Sequence, residues 1–291
     1  YTGTGGDVVI PPTLRSLWVR AVGERAFENN TNVSSVTIPG SVTSIGSGAF
    51  HGCTELKSFR VGSGSSTYAS LDGVLLSKDM TRLILYPPGK QGGYLIPNTV
   101  TDIGEGAFQY CTGLTSVMIP DSVTSISDYA FIGCSSLTNV TIPDSVTSIG
   151  DSAFYGCTAL ASVMIPNSVT DIGDQAFRDC TEMFSMTLPT SITSIGDYTF
   201  LGCTKLTSVL IPGNVTSIGW YSFYGCTALT NVAIPDTIAS IGNLAFYGCS
   251  ALTSVTIPGS VTSIGGYTFY GCTALTNVTI PEGVTSIDRY A

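Results

Sequence analysis

Apolar positions recur along this chain at offsets that repeat every 23 residues. One unit reads LTNVTIPDSVTSIGDSAFYGCTA, from Leu137 to Ala159. Val140 and Ile142 alternate with polar neighbours, the two-residue period of a strand buried on one face. Pro143 has no N–H to give a ladder and ends that strand. Val146 and Ile149 form a second inward pair on the return side, and Gly150 begins a turn. Phe154 and Cys157 fill a corner before Leu160 opens the next unit. Phe108, Phe131, Phe154, Phe177, Phe200, Phe223, Phe246 and Phe269 keep this spacing, as do the cysteines from Cys111 to Cys272.

A single unit of this kind cannot bury its own apolar face. Stacking copies turns each offset into a continuous column, so the pattern predicts a β-solenoid of 23-residue coils. Strands stack about 4.8 Å apart, which makes about twelve coils a body on the order of 60 Å long. We expect residues 1–291 to form one repeat domain. Two stretches break the period. Near the N-terminus Leu14, Leu17 and Val19 match an opening strand, but Val22-Gly23 follows at once. Phe50 and Phe108 are 58 residues apart, two units plus 12. There Leu71 to Leu76 and Leu83 to Tyr86 read as two strands joined by SKDMT, an elaborated hairpin-containing coil at about 57–96. The last unit stops before its expected Phe. Terminal repeats need caps, so a piece of a longer chain is expected.

Composition narrows the function. Only 11% of residues are charged, against roughly 25% in an ordinary soluble domain. The net charge is -9, with no basic cluster. That argues against nucleic acid and anionic membrane surfaces. No apolar run is long enough to span a bilayer, so no membrane insertion is expected.

Catalytic constellations are missing. His51 is the sole histidine, at a position where other units carry Tyr155, Arg178 or Tyr224. No nucleophile elbow, phosphate loop or dinucleotide fingerprint occurs. The cysteines share one column without a CxxC pair, which reads as free, buried, small apolar side chains. Asp128, Asp151, Asp174 and Asp197 share another position. A stacked carboxylate column could hold calcium, but turn residues that accept backbone N–H groups are the simpler reading. No enzyme, cofactor or metal site is expected.

The surface remains. The position between the two inward residues of each opening strand holds Trp18, Thr37, Arg60, Leu95, Met118, Thr141, Met164, Thr187, Leu210, Ala233, Thr256 and Thr279. Trp18, Leu95, Met118, Met164 and Leu210 are large, apolar and expected to face solvent. Contiguous exposed apolar surface marks interaction sites. The candidate protein-binding face is therefore Trp18, Arg60, Leu95, Met118, Thr141, Met164, Thr187 and Leu210. Ser116, Asn139, Ser162, Ser185 and Ser208 flank it with adaptable hydrogen-bonding groups. Two partial tyrosine columns, Tyr129, Tyr198, Tyr221, Tyr267 and Tyr155, Tyr224, Tyr247, Tyr270, read as cover for a thin core or as an amphipathic interface.

The unit LTSVTIPGSVTSIGGYTFYGCTA, from Leu252 to Ala274, resembles the repeat of the BspA-like, or Treponema pallidum type, leucine-rich-repeat proteins. The stretch from Tyr68 to Lys90 resembles a variant insert of that family. The resemblance covers nearly the whole chain from about Leu14. It implies a right-handed leucine-rich-repeat solenoid with short parallel strands on its concave side. It also implies an extracellular or cell-surface setting and a non-enzymatic protein-binding role, such as adhesion to extracellular matrix or another surface protein. A structural spacer in a larger surface protein and a carbohydrate-binding module are the alternatives. The family has no common catalytic residues to carry over.

Overall fold

A computed structural model describes residues 3–291. The chain is a leucine-rich-repeat β-solenoid of about twelve coils, and no helix occurs among the described residues. In a regular coil Leu137, Val146, Ile149, Phe154 and Cys157 are fully buried, with Val140 and Ile142 nearly so. Register follows the sequence period, with Val117 opposite Val140 and Ile126 opposite Ile149 in parallel pairs. From Phe108 to Phe269 the Phe rings stack at 4.8–5.9 Å between centroids, with interplanar angles of 2–17°. These are ordinary offset aromatic separations.

Each corner from Gly106 to Leu244 is tied to the next coil by three backbone N–H groups at alternate residues. Gly106, Phe108 and Tyr110 donate to the carbonyls of Asp128, Ala130 and Ile132 at 3.1, 2.8 and 2.7 Å. Corner backbone is thereby satisfied in a region with no regular strand, as burial requires.

The first coil opens on β1 (Gly6–Val9), not on Leu14, Leu17 and Val19. Val8 is buried and pairs with Val36 of β5 (Val33–Ile38). Between them β2 (Thr13–Leu14) and β3 (Leu17–Trp18) form a small antiparallel hairpin with Leu14, Leu17 and Trp18 all exposed. The return strand is β4 (Ala21–Val22), parallel to β6 (Ser44–Ile45). Both candidate openings have a two-residue apolar period. What separates them is a backbone pairing with β5 that only β1 makes.

The irregular stretch holds a three-stranded meander rather than a two-stranded hairpin. β7 (Ser58–Val61) extends the β1–β5 ladder. β8 (Tyr68–Leu71), β9 (Val74–Ser77) and β10 (Arg82–Leu85) then form an antiparallel meander. Asp72 and Gly73, at φ 50° and 81°, make the turn inside what reads as one strand from Leu71 to Leu76. Two consecutive positive φ values suit a tight hairpin, for which Asp-Gly is a strong signal. Strand β10 then serves as a return strand, parallel to β12 (Asp102–Ile103), while β11 (Gly92–Leu95) starts a new outward ladder with β13 (Leu114–Met118).

Strand β9 is buried on both faces. Val74 and Leu76 join the core of the following coils, and Leu75 joins the core of the preceding ones. The pleat sends successive side chains to opposite sides, so this strand is a wall between two hydrophobic cores. Tyr86 resumes the Phe column beyond the wall. Its ring lies 5.1 Å from Phe108, and its N–H donates to the carbonyl of Ala107 at 2.7 Å.

Candidate protein-binding face

The outward side of the opening strands carries two separate ladders. The first runs Val9, Thr37, Arg60. The second begins at β11 and places Leu95 beside Met118, Met118 beside Thr141, and Thr187 beside Leu210. Single parallel bridges from Thr141 to Met164 and from Met164 to Thr187 close the gap. Leu95, Met118, Thr141, Met164, Thr187 and Leu210 therefore form one row. Five strand steps of about 4.8 Å make it on the order of 24 Å long. Leu95, Met118, Met164 and Leu210 are 64%, 54%, 85% and 66% exposed. Their strand neighbours Val117, Val163 and Val209 point inward and are buried. No charged side chain interrupts the row.

Trp18 and Arg60 do not join it. Trp18 is exposed but sits in the β2–β3 hairpin, and Val9 occupies the row position assigned to it. Arg60 ends the first ladder, where the surface is polar. Ser34 and Ser35 donate to one carboxylate oxygen of Asp7 at 3.0 and 2.6 Å. Those two bonds, with the charge of Arg60, hold the Asp7 carboxyl below the usual range.

Phe184 is a further exposed apolar side chain, in the same coil as Thr187, and is missed by inspecting a single offset. It is 53% exposed, three residues ahead of Thr187, where other coils carry Thr115, Thr138, Ala161 and Thr207. A large aromatic at an otherwise small, polar offset is the signal that could have found it. On the far side of Leu95, Tyr94 is half-buried with the Lys90 ammonium 5.7 Å from its ring centre. Burial first, and the charge of Asp72 second, push its phenol up to about 12.

The other columns resolve into structural roles. Asp128, Asp151, Asp174 and Asp197 each accept the N–H of the residue 23 positions on, at 2.6–2.8 Å. Among the described residues no group of three or more His, Cys, Asp or Glu side chains could hold a metal ion. All nine cysteines are free and buried. His51 is half-buried, 3.5 Å from Glu28 and edge-on to Tyr110. Tyr224, Tyr247 and Tyr270 stack on one another at 4.6 and 5.2 Å, which covers the ring faces a sugar would need.

Comparison with known proteins places this geometry. A profile of the BspA-type leucine-rich repeat region matches residues 13–71, 94–207 and 193–291. The chain belongs to the BspA-type leucine-rich-repeat family. A sequence comparison with curated proteins gives no match. A leucine-rich repeat protein from Eubacterium ventriosum is similar in structure, with a TM-score of 0.66 and 28% identity. The match covers 95% of this chain and 66% of that one, so this chain spans just under two thirds of that relative. A leucine-rich cell surface protein from Faecalibacterium prausnitzii is 30% identical at a TM-score of 0.56, covering 96% of this chain and 88% of its own. The pneumococcal vaccine antigen PcpA is 25% identical at a TM-score of 0.60, covering 79% of this chain and 56% of its own. BspA-type membership supports a protein-interaction module, and such solenoids are typically non-enzymatic. The cell-surface relative points to a surface or extracellular setting. Among the described residues no helix is long and apolar enough to cross a membrane.

Proposed function

We propose that this chain is an adhesive module of a secreted or surface-attached protein, binding an extracellular protein through the row from Leu95 to Leu210. The observation that carries this reading is the exposure of Leu95, Met118, Met164 and Leu210 in a single hydrogen-bonded register. Large apolar side chains in that setting lower the solubility of an isolated surface and gain only when a partner covers them. Methionine adds a flexible, polarizable contact that adapts to an irregular partner. Short Ser and Asn side chains beside the row supply hydrogen bonds without a fixed charge pattern.

The test is binding of the chain to immobilised fibronectin and a panel of other matrix proteins, beside a variant with Leu95, Met118, Met164 and Leu210 all changed to Ser. Circular dichroism checks that the variant folds. Saturable binding that the variant loses supports the reading. Binding kept by the folded variant, or no binding to any panel member, overturns it.

A further inference from the structure

The β8–β10 meander interrupts the stack of corners as well as the outward ladder. In the first coil the N–H groups of Arg25, Phe27 and Asn29 donate to the carbonyls of Ser47, Ala49 and His51 at 3.1, 2.7 and 2.7 Å. Every later corner from Gly106 to Leu244 repeats the first of these bonds with the coil that follows it. The corner of Gly48, Phe50 and Gly52 has no such coil next to it. Its three N–H groups donate to nothing among the described residues. Gly48 and Phe50 border a cavity of about 680 Å³ between the two coil stacks, and Gly52 lies just beyond its edge; the volume is within the roughly 300–1,000 Å³ typical of ligand sites. Ile45, Ile84 and Leu85 line it and are only partly buried.

We propose that this cleft binds an extended peptide segment of a partner protein, taken up through main-chain carbonyls at alternate residues. Donors at positions 48, 50 and 52 match alternate carbonyls of one passing chain, as those of Ser47, Ala49 and His51 match the preceding corner. A small anion would satisfy at most part of such a row. The Ala107 carbonyl of the Gly106 corner is already taken by Tyr86, and the segment is held through its own carbonyls. This is strand addition at an unpaired edge, with the apolar side chains of Ile45, Ile84 and Leu85 adding contact. Phe59 lies edge-on against Phe50 at 5.0 Å and occupies the aromatic slot, so a small side chain is favoured there. The site is separate from the Leu95–Leu210 row and does not depend on it.

The test uses the 291-residue chain and an acetylated, amidated peptide of residues 127–133 carrying Phe131→Ala. Those residues fill the equivalent edge of the Gly106 corner. Amide exchange is followed by NMR at Gly48, Phe50 and Gly52. Without peptide these amides should exchange at least about tenfold faster than those of Gly106, Phe108 and Tyr110. A titration with the peptide should slow them by about the same factor. Ile84→Trp, which fills the cleft, should abolish the slowing, whereas the fourfold Ser variant of the outward row should retain it. Three results overturn the proposal: amides already protected without peptide, no slowing on titration, or slowing that survives Ile84→Trp. Protection that rises with protein concentration alone would mean a second copy fills the cleft, and would also overturn it.

Discussion

The thiol of Cys134 lies 3.0 Å from the main-chain carbonyl oxygen of Phe108, 26 residues earlier in the chain. Cys157 makes the same contact with Phe131 at 3.2 Å, and the relationship continues to Cys272 and Phe246. The corner needs a side chain that is small, apolar and able to give a weak hydrogen bond. Cysteine is the residue that meets all three demands. Changing Cys157 to Ala should cost about 1 kcal/mol, from the lost volume and the lost thiol contact, because the Phe131 carbonyl keeps the N–H of Cys134. Urea unfolding of the variant measures it.

Burial pushes thiols up, to about 11 at Cys53 and Cys272 and further at Cys180 and Cys226. Reaction with thiol reagents requires the thiolate. At neutral pH none of the nine cysteines should label in the folded protein, and all should label in denaturant. Cys272, 8% exposed, is the first expected to react as the structure loosens. Rapid labelling of an inner cysteine such as Cys180 would contradict the corner packing.

Asp174 is raised above the usual carboxylate range by burial, with the charges of Asp197, Asp151 and Asp171 adding to it. A raised folded-state pKa means the stabilising contribution is present below the unfolded value and lost as pH rises through the folded one. At pH 7 the charge therefore works against folding. Asp174→Asn should raise the melting temperature there, and the gain should vanish as pH falls into the carboxylate range. The group is largely exposed, so the effect should stay below about 1 kcal/mol. Asn243 already accepts a backbone N–H at the equivalent position, 3.0 Å from Gly266, so the substitution preserves the bond.

Met164 and Met186 sit one coil apart on opposite sides of the sheet, 85% and 3% exposed. Met164→Ser should change stability by less than about 0.5 kcal/mol, as surface substitutions do. Met186→Ser should cost about 2–5 kcal/mol, because it leaves a cavity and a buried hydroxyl. Paired urea curves separate the two. A costly Met164→Ser would place that side chain in the core and remove the basis for the binding row.

Gly73 has φ 81°, and a Cβ built on it would stand 2.9 Å from the Cβ of Ser58. Gly73→Ala should cost about 2 kcal/mol through strain and collision. Because Gly73 turns β8 into β9, the loss should appear in a thermal melt as weaker coupling between the two coil stacks.

The apolar period by itself determined the coil, the inward columns and the outward row, because each follows from local alternation repeated at fixed spacing. Leu137, Phe154 and Cys157 are buried, and Leu95, Met118, Met164 and Leu210 are exposed, as their offsets require. Only the tertiary structure decided which segments pair where that spacing fails. Val8 and Leu17 both fit the pattern of an opening strand, but only the strand of Val8 docks on β5, which removed Trp18 from the row. Val74, Leu75 and Leu76 look alike along the chain. Their division between two cores exists only because β9 is covered on both faces. The unpaired corner of Gly48, Phe50 and Gly52 has the same physical cause. A backbone donor is satisfied or stranded by what the chain places next to it, and no residue at those three positions encodes that.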